Sequence, residues 1–175
     1  MNDLNKWKRI QIITTGGTIE KTYDESDGTL FNRETVIKKK INEKLRLPYT
    51  EVIISSVLAK DSLDMNESDR QLICDRIMEL HSLEDDPIVI LHGTDTMQET
   101  AEMASKLIQN PKAPIIFTGA MKPLGFEDSD ALQNVTEALI CAQLVAPGIF
   151  ISFHNRLFSV PGVRKNKVKK TFERF

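Results

Sequence analysis

An open, mostly parallel α/β sheet covered by helices on both faces is the fold this sequence predicts. Short β-branched apolar runs end in glycine- or hydroxyl-rich turns, and they alternate with segments whose apolar residues recur at helical spacing. The chain has 175 residues, 41% of them hydrophobic, which suits one well-buried core and is short for two domains of ordinary size. Parallel neighbours need crossover connections, so the alternation puts helices on both faces of the sheet. Ligands of such sheets bind beyond the carboxyl ends of the strands.

The first strand is predicted over Ile10–Thr14, a β-branched run that stops at Gly16-Gly17. A loop from Glu20 to Asn32 leads to a helical pattern over Glu34–Leu45. A second strand is predicted over Glu51–Val57, followed by a helix over Ser68–Leu80 that Asn66 or Ser68 can cap. Ile88–Leu91 reads as a buried strand and Met97–Ile108 as its helix, opened by Thr96 with Glu99 three residues on as a capping box. Ile115–Thr118 is the next strand. After the loop Lys122–Asp128, the helix Ala131–Leu144 can be capped by Asp128 or Ser129, and Ile149–Phe153 is the last strand of the pattern. The basic run RKNKVKKTFER, Arg164 to Arg174, reads as a solvated helix or tail.

A net charge of -2, with 27% charged residues of both signs, provides no field that would attract nucleic acid or an anionic membrane. No run approaches the roughly 20 apolar residues of a membrane span, and the polar start, Met1 to Ile10, does not read as a signal peptide. Cys74 and Cys141 lie inside helical patterns and read as buried thiols of a reducing cytoplasm. These features point to a cytoplasmic protein acting on a small soluble molecule, without nucleic-acid or membrane partners.

Four predicted strand ends carry reactive side chains. They are Thr14, Thr15 and Thr18; Ser62 and Asp64; His92, Thr94 and Asp95; and Thr118 with Lys122. In a parallel sheet these ends share one edge, so residues distant in sequence meet in a single cleft. The turn Thr14-Thr15-Gly16-Gly17-Thr18 lets backbone N–H groups approach a ligand while Thr18 offers a hydroxyl. A nucleotide site would want a G-x-G-x-x-G or G-K-[ST] pattern, and neither is present. Asp95 could complement the dipole of the following helix or bind a substrate ammonium. His92 reads as a satisfied histidine at a strand end, with no second histidine or cysteine at metal-ligand spacing. A threonine hydroxyl needs a neighbouring base to act as a nucleophile, lysine can be that base, and the glycine-turn N–H groups can hold an oxyanion. Acyl transfer from an amide, with no metal or cofactor, is the reaction class these residues suit.

The motifs TTGGTIEKTY, LDMN, LHGTDTMQETA and FTGAMKPLG resemble the bacterial-type L-asparaginase family from about Ile10 to Lys170. The resemblance implies the larger, N-terminal domain of that family as a single domain over residues 1–175, with the smaller C-terminal domain absent. The spacing of Thr18 and Tyr23 is similar to that of the family's short-chain members, so a complete short enzyme is the expectation. By the same resemblance Thr18 is the nucleophilic threonine and Tyr23 its partner. Thr94, Asp95 and Lys165 form a second triad, in which Asp95 also binds the substrate ammonium. Ser62 holds the α-carboxylate, and Gly17, Gly93 and Ala120 supply backbone around the substrate.

Two positions depart from the family. Leu63 stands where many members carry a glutamine, and FHNRLFS differs from the more usual Asn-Asp pattern. Lys167, Lys169 and Lys170 are close enough in sequence to compete with Lys165 for the lysine role. The function implied is hydrolysis of L-asparagine to L-aspartate and ammonia, with glutamine a lesser substrate. The oligomer implied is a dimer or tetramer of this chain, with a neighbouring protomer closing the cleft. Two alternatives stay open: an ammonia-releasing subunit of an amidotransferase, and an amino-acid-binding regulatory domain without turnover.

Overall fold

A computed structural model describes residues 8–23, 26, 28, 30–32, 39, 41 and 43–175. Its centre is a six-stranded sheet in the order β4-β1-β5-β6-β7-β8. The strands are β1 (Lys8–Gly16), β4 (Thr50–Lys60), β5 (Ile88–Leu91), β6 (Pro114–Thr118), β7 (Gly148–Phe153) and β8 (Arg156–Ser159). All neighbours pair in parallel except β7 and β8. Helices α1 (Glu67–Leu83), α2 (Met97–Leu107) and α3 (Ala131–Leu144) connect the strands.

Alternation along the strands explains why both faces are covered. Ile13, Ile88, Ile90, Ile115 and Phe117 pack on one face with Ile73 and Ile77 of α1 and Ala101 and Ala104 of α2. Ile10, Ile12, Val89, Leu91 and Ile116 face the other way, onto Ile41 and onto Val135, Ala138 and Leu139 of α3. Side chains two apart share a face of a strand, so continuous apolar runs such as Ile88–Leu91 supply both cores at once.

The four strands and three helices expected from Glu51 onward are present, with β4 longer than its apolar run. Of the helix expected over 34–45, Lys39, Ile41, Glu43 and Lys44 are helical, Leu45 is not, and the other positions lie outside the described residues. Asn66 caps α1 in a full capping box with Asp69. The box expected at Thr96 and Glu99 does not form: the Thr96 hydroxyl donates to the Ser62 carbonyl at 2.9 Å, and Glu99 accepts from Arg70. Tertiary partners at the site outcompete the local cap. Ser129 Oγ accepts the Ala131 N–H ahead of α3, while Asp128 pairs with Lys122. Cys74 is buried as expected, but Cys141 is only half-buried.

The largest correction concerns Arg164 to Arg174. It is neither a helix nor a tail but an antiparallel hairpin of β9 (Val163–Asn166) and β10 (Thr171–Arg174). Val163 and Phe172 enter the core, with the Phe172 ring edge-on to Phe153 at 5.1 Å between centroids. Burying two apolar residues outweighs the solvation of the surrounding lysines. One further pairing lies within the segment read as a loop, and another follows the last strand of the pattern. β2 (Lys21–Tyr23) pairs with β3 (Leu30–Asn32), and β8 turns back on β7 through His154 and Asn155, both at positive φ.

Candidate active site

Three turns at the carboxyl edge of the sheet interlock because each has a residue with no room to spare. β1 ends at Gly16, whose φ of 94° and contact with the Lys60 backbone leave no space for a Cβ. Gly17 follows at φ 79° and donates its N–H to the Lys60 carbonyl at 2.8 Å. A Cβ on Gly17 would stand 2.5 Å from Gly93 Cα, and one on Gly93 would stand 2.5 Å from Ser62 Cβ and Oγ. The turns after β1, β4 and β5 are thus in direct contact, and Thr18 and Thr94 each follow one of the two touching glycines.

Thr94 is buried, and its Oγ1 accepts a hydrogen bond from Lys165 Nζ at 2.7 Å. The same ammonium donates to Asp95 Oδ1 at 2.9 Å. Lys165 pairs across the hairpin with Phe172. Directly opposed residues of antiparallel strands project to one face, so the ring that anchors the hairpin also aims the lysine at the cleft. Lys167, Lys169 and Lys170 are exposed, and Lys169 pairs with Glu173. Glu173 also takes Asn166 and Arg164, and these donors hold its carboxyl down at about 2.

Ser62 sits in a short 3-10 turn, Ser62–Asp64, ahead of α1. Its hydroxyl is buried and has no hydrogen-bond partner among the described residues. Leaving such a group unpaired costs about 1–3 kcal/mol, so a ligand group that reaches it is strongly favoured. The turn is held by Asp61, whose Oδ1 accepts the Leu63 N–H and whose Oδ2 accepts Lys21 Nζ at 2.6 Å. Burial pushes the Asp61 pKa up, but the Lys21 bond, the Leu63 N–H and the charges of Lys21 and Lys165 outweigh it and hold the carboxyl below its usual value. The Leu63 side chain itself is 69% exposed.

His92 lies beneath the site. Its Nδ1 is 2.8 Å from the Gly93 carbonyl and its Nε2 2.9 Å from Thr100 Oγ1. The histidine is fully buried, and loss of solvation pushes its pKa down to about 4. A neutral ring then donates from Nδ1 to Gly93 and accepts the Thr100 hydroxyl at Nε2, the satisfied histidine that the sequence suggests. Ala120 is buried beside this turn, because Gly119 can approach the His92 carbonyl only without a Cβ.

The structure joins Gly17, Gly93 and Ser62 by direct contact and Thr94, Asp95 and Lys165 by hydrogen bonds, with Thr18 next to Gly17 in the chain and Ala120 next to Gly119. Tyr23 ends β2 with 58% of its surface exposed, and no hydrogen bond joins it to Thr18 among the described residues. Other strand-end residues turn out to be internal or peripheral. Thr15 and Thr118 donate to the Leu91 and Ser152 carbonyls inside the sheet, Thr14 is buried, and Asp64 and Lys122 point to solvent. Asp61, Met121 and Asp130 belong to the site's surroundings and are missed by reasoning from sequence. Asp61 adjoins Ser62 in sequence and is open to discovery there, whereas Met121 and Asp130 act through the fold. Among the described residues, no group of three His, Cys, Asp or Glu side chains could hold a metal, and no helix is long and apolar enough to cross a membrane.

A doubly covered α/β domain with hydroxyls, a lysine and a carboxylate converging at the ends of its parallel strands defines the class of molecule. A family model described as "Asparaginase, N-terminal" matches residues 9–174, and the chain belongs to the asparaginase family. L-asparaginase 1 of Escherichia coli K12 is 34% identical over 157 residues, 86% of this chain and 45% of that protein. A glutamyl-tRNA(Gln) amidotransferase polypeptide of Haloquadratum walsbyi is 28% identical over 148 residues, 83% of this chain and 33% of that protein. The solved thermostable L-asparaginase from Thermococcus kodakarensis superposes with a TM-score of 0.85 at 28% identity, covering 95% of this chain and 51% of that one. The chain therefore spans about half the length of these relatives, or less.

Proposed function

We propose that this chain hydrolyses the side-chain amide of L-asparagine to aspartate and ammonia through threonine chemistry in the cleft described above. The observation that carries this reading is the Lys165 ammonium donating at once to Thr94 Oγ1 and Asp95 Oδ1. A hydroxyl, a lysine and a carboxylate in hydrogen-bonded series can pass a proton to and from a reacting group. In this reading Thr18 Oγ attacks the amide carbon, a tetrahedral oxyanion forms, and ammonia leaves as the C–N bond breaks. Water then cleaves the threonyl ester to release aspartate and restore the hydroxyl.

The remaining groups have roles that follow from their placement. The buried Ser62 hydroxyl, lacking a partner among the described residues, suits a substrate carboxylate, and the Asp95 carboxylate suits the α-ammonium. In this reading the oxyanion is held by backbone N–H groups that follow Gly17 and Gly93 in their turns and by that of Ala120, the Gly17 N–H itself being taken by the Lys60 carbonyl. Thr94 and Lys165 move protons, and Tyr23, exposed at the end of β2, closes onto Thr18 once substrate is bound. The reading includes no metal or cofactor.

It also includes a second protomer over the cleft. Tyr23 and Leu63, which flank Thr18 and Ser62, present 58% and 69% of their surfaces to solvent. Water exclusion strengthens oxyanion stabilisation, so an apolar cover here would raise turnover.

A second reading is favoured by the similarity to the amidotransferase polypeptide: an ammonia-releasing unit serving a partner enzyme. Ammonia release from asparagine and from glutamine, measured side by side on purified protein, tests both. Release from asparagine supports the first reading, release from glutamine alone supports the second, and release from neither overturns both.

A further inference from the structure

We propose that Asp130 is a positioning residue whose carboxylate fixes the Gly119–Lys122 segment against Thr94. Its kinetic part rests on the amide-hydrolysis reading above. Asp130 occupies the N-cap position of α3, where a carboxylate ordinarily accepts N–H groups of the first helical turn, yet it makes no such bond. Ser129 Oγ takes the Ala131 N–H instead.

Both carboxylate oxygens turn back toward the strand end. Met121 N–H donates to Oδ1 and Oδ2 at 3.0 Å each, and Lys122 N–H donates to Oδ1 at 3.1 Å. Oδ2 also accepts from Asn134 Nδ2 at 3.0 Å and His154 Nε2 at 2.9 Å. Asn134, fully buried one turn along α3, donates from Nδ2 to the Gly119 carbonyl at 2.9 Å and accepts the His154 N–H at Oδ1. The backbone of Gly119, Met121 and Lys122 is thus held from one side by two side chains of a single helical turn.

The other side of the segment is the reactive cluster. Gly119 lies against the His92 carbonyl, and Met121 Sδ is 3.8 Å from Thr94 Oγ1. Burial pushes the Asp130 pKa up, but the Met121 and Lys122 N–H groups and the His154 ring outweigh it and keep the carboxyl ionised. Hydrogen bonds to an ionised acceptor are about twice as strong as neutral ones, so this anchor is stiff. Without it, two backbone N–H groups lose their acceptor and the segment is free to shift, and a displacement of about 1 Å beside reacting atoms can cost on the order of a hundredfold in rate.

The test compares Asp130→Ala and Asp130→Asn with Ala138→Gly, a control that weakens α3 without touching the segment. Steady-state kinetics on asparagine are paired with amide hydrogen exchange. Asp130→Ala is expected to lower kcat by about tenfold or more with KM changed by less than about threefold, since a misplaced wall hurts the transition state more than binding. Asp130→Asn, which keeps one acceptor oxygen, recovers most of that loss. Met121 and Lys122 amides exchange at least about tenfold faster in Asp130→Ala, while amides in the second half of α3 do not. Ala138→Gly loses melting temperature but keeps its kcat.

A kcat for Asp130→Ala within about twofold of the parent, while Lys165→Met abolishes turnover, overturns the proposal and leaves the hydrolysis reading standing. An equal loss of kcat in Ala138→Gly overturns it too, by assigning the effect to stability. If the parent releases no ammonia, the hydrolysis reading fails, and exchange alone decides: unchanged protection at Met121 and Lys122 in Asp130→Ala overturns the positioning role.

Discussion

Acidification from pH 7 to pH 5 is predicted to cost this protein roughly 2 kcal/mol through one side chain, His92. The imidazole is fully buried and its pKa is held at about 4, against 6.5 for an ordinary histidine. Between those two values the unfolded chain binds the proton that the folded chain refuses. Stability therefore falls as pH is lowered through 6.5 toward 4 and is restored above 6.5. The difference of about 2.5 units corresponds to roughly 3 kcal/mol over the whole window, of which about 1.5 units, or roughly 2 kcal/mol, has been lost by pH 5. His81, whose pKa burial and the Lys112 charge also lower, contributes in the same direction. The lowered carboxyls of Asp61, Asp69 and Asp130 act in the opposite pH range: their stabilisation is complete above their unfolded values and is lost only as pH falls through the folded ones, below about 3.8. Urea unfolding followed by circular dichroism at half-unit steps from pH 7.5 to 4.5, on the parent and on His92→Gln, isolates the histidine's contribution. The variant is expected to be less stable at pH 7 by about 1–3 kcal/mol, having lost a ring that satisfies both Gly93 and Thr100, and to show a flatter pH profile. A parent whose stability does not change between pH 7 and 5, or a variant with the parent's slope, refutes the assignment.

Lys165→Met is predicted to lower turnover by about 10²–10⁴-fold, the usual worth of a positioned proton-transfer group, with the circular dichroism spectrum retained. Ammonia assays on matched preparations check this, and a similar loss in Lys167→Met would point to the wrong lysine. Asparagine is predicted to be preferred over glutamine, because Leu63 offers no polar contact to a longer substrate; one methylene is worth about 1–3 kcal/mol, so glutamine is disfavoured without being excluded. Comparable kcat/KM values for the two substrates count against that role. Activity per protomer is predicted to fall on dilution as an oligomer dissociates. Light scattering across the same dilution series checks this, and a fully active monomer at every concentration contradicts the shared cleft.

The parts of the fold legible in the sequence are those decided by local pattern. Ile88–Leu91 and Ile115–Thr118 are continuous apolar runs that only a strand covered on both faces can bury, and their glycine and hydroxyl ends mark the edge where ligands bind. The contacts of Gly17 with Gly93, and of Gly93 with Ser62, give those glycines a physical reason. The illegible parts depend on partners far away in sequence. Thr96 and Glu99 satisfy a local capping pattern, yet Ser62 and Arg70 claim their side chains. The run from Arg164 looks solvated because lysines dominate it, and only pairing with Phe172 shows that Val163 and Lys165 face inward. Lys167, Lys169 and Lys170 fall in the exposed turn between β9 and β10, outside that pairing. Asp130 follows the two residues expected to cap the helix, and nothing in sequence spacing indicates that its carboxylate turns toward Met121.

Everything proposed for the site depends on the cleft at the carboxyl edge of the sheet hydrolysing an amide through its threonines. Ammonia release from asparagine by the parent, Thr18→Ala and Thr94→Val, each with its circular dichroism spectrum recorded, tests this most directly. Release by the parent is predicted, with a loss of about 10² or more in each variant at an unchanged spectrum. Near-parental release by Thr18→Ala with the fold intact would contradict the threonine mechanism, and no release by the parent would contradict the function itself.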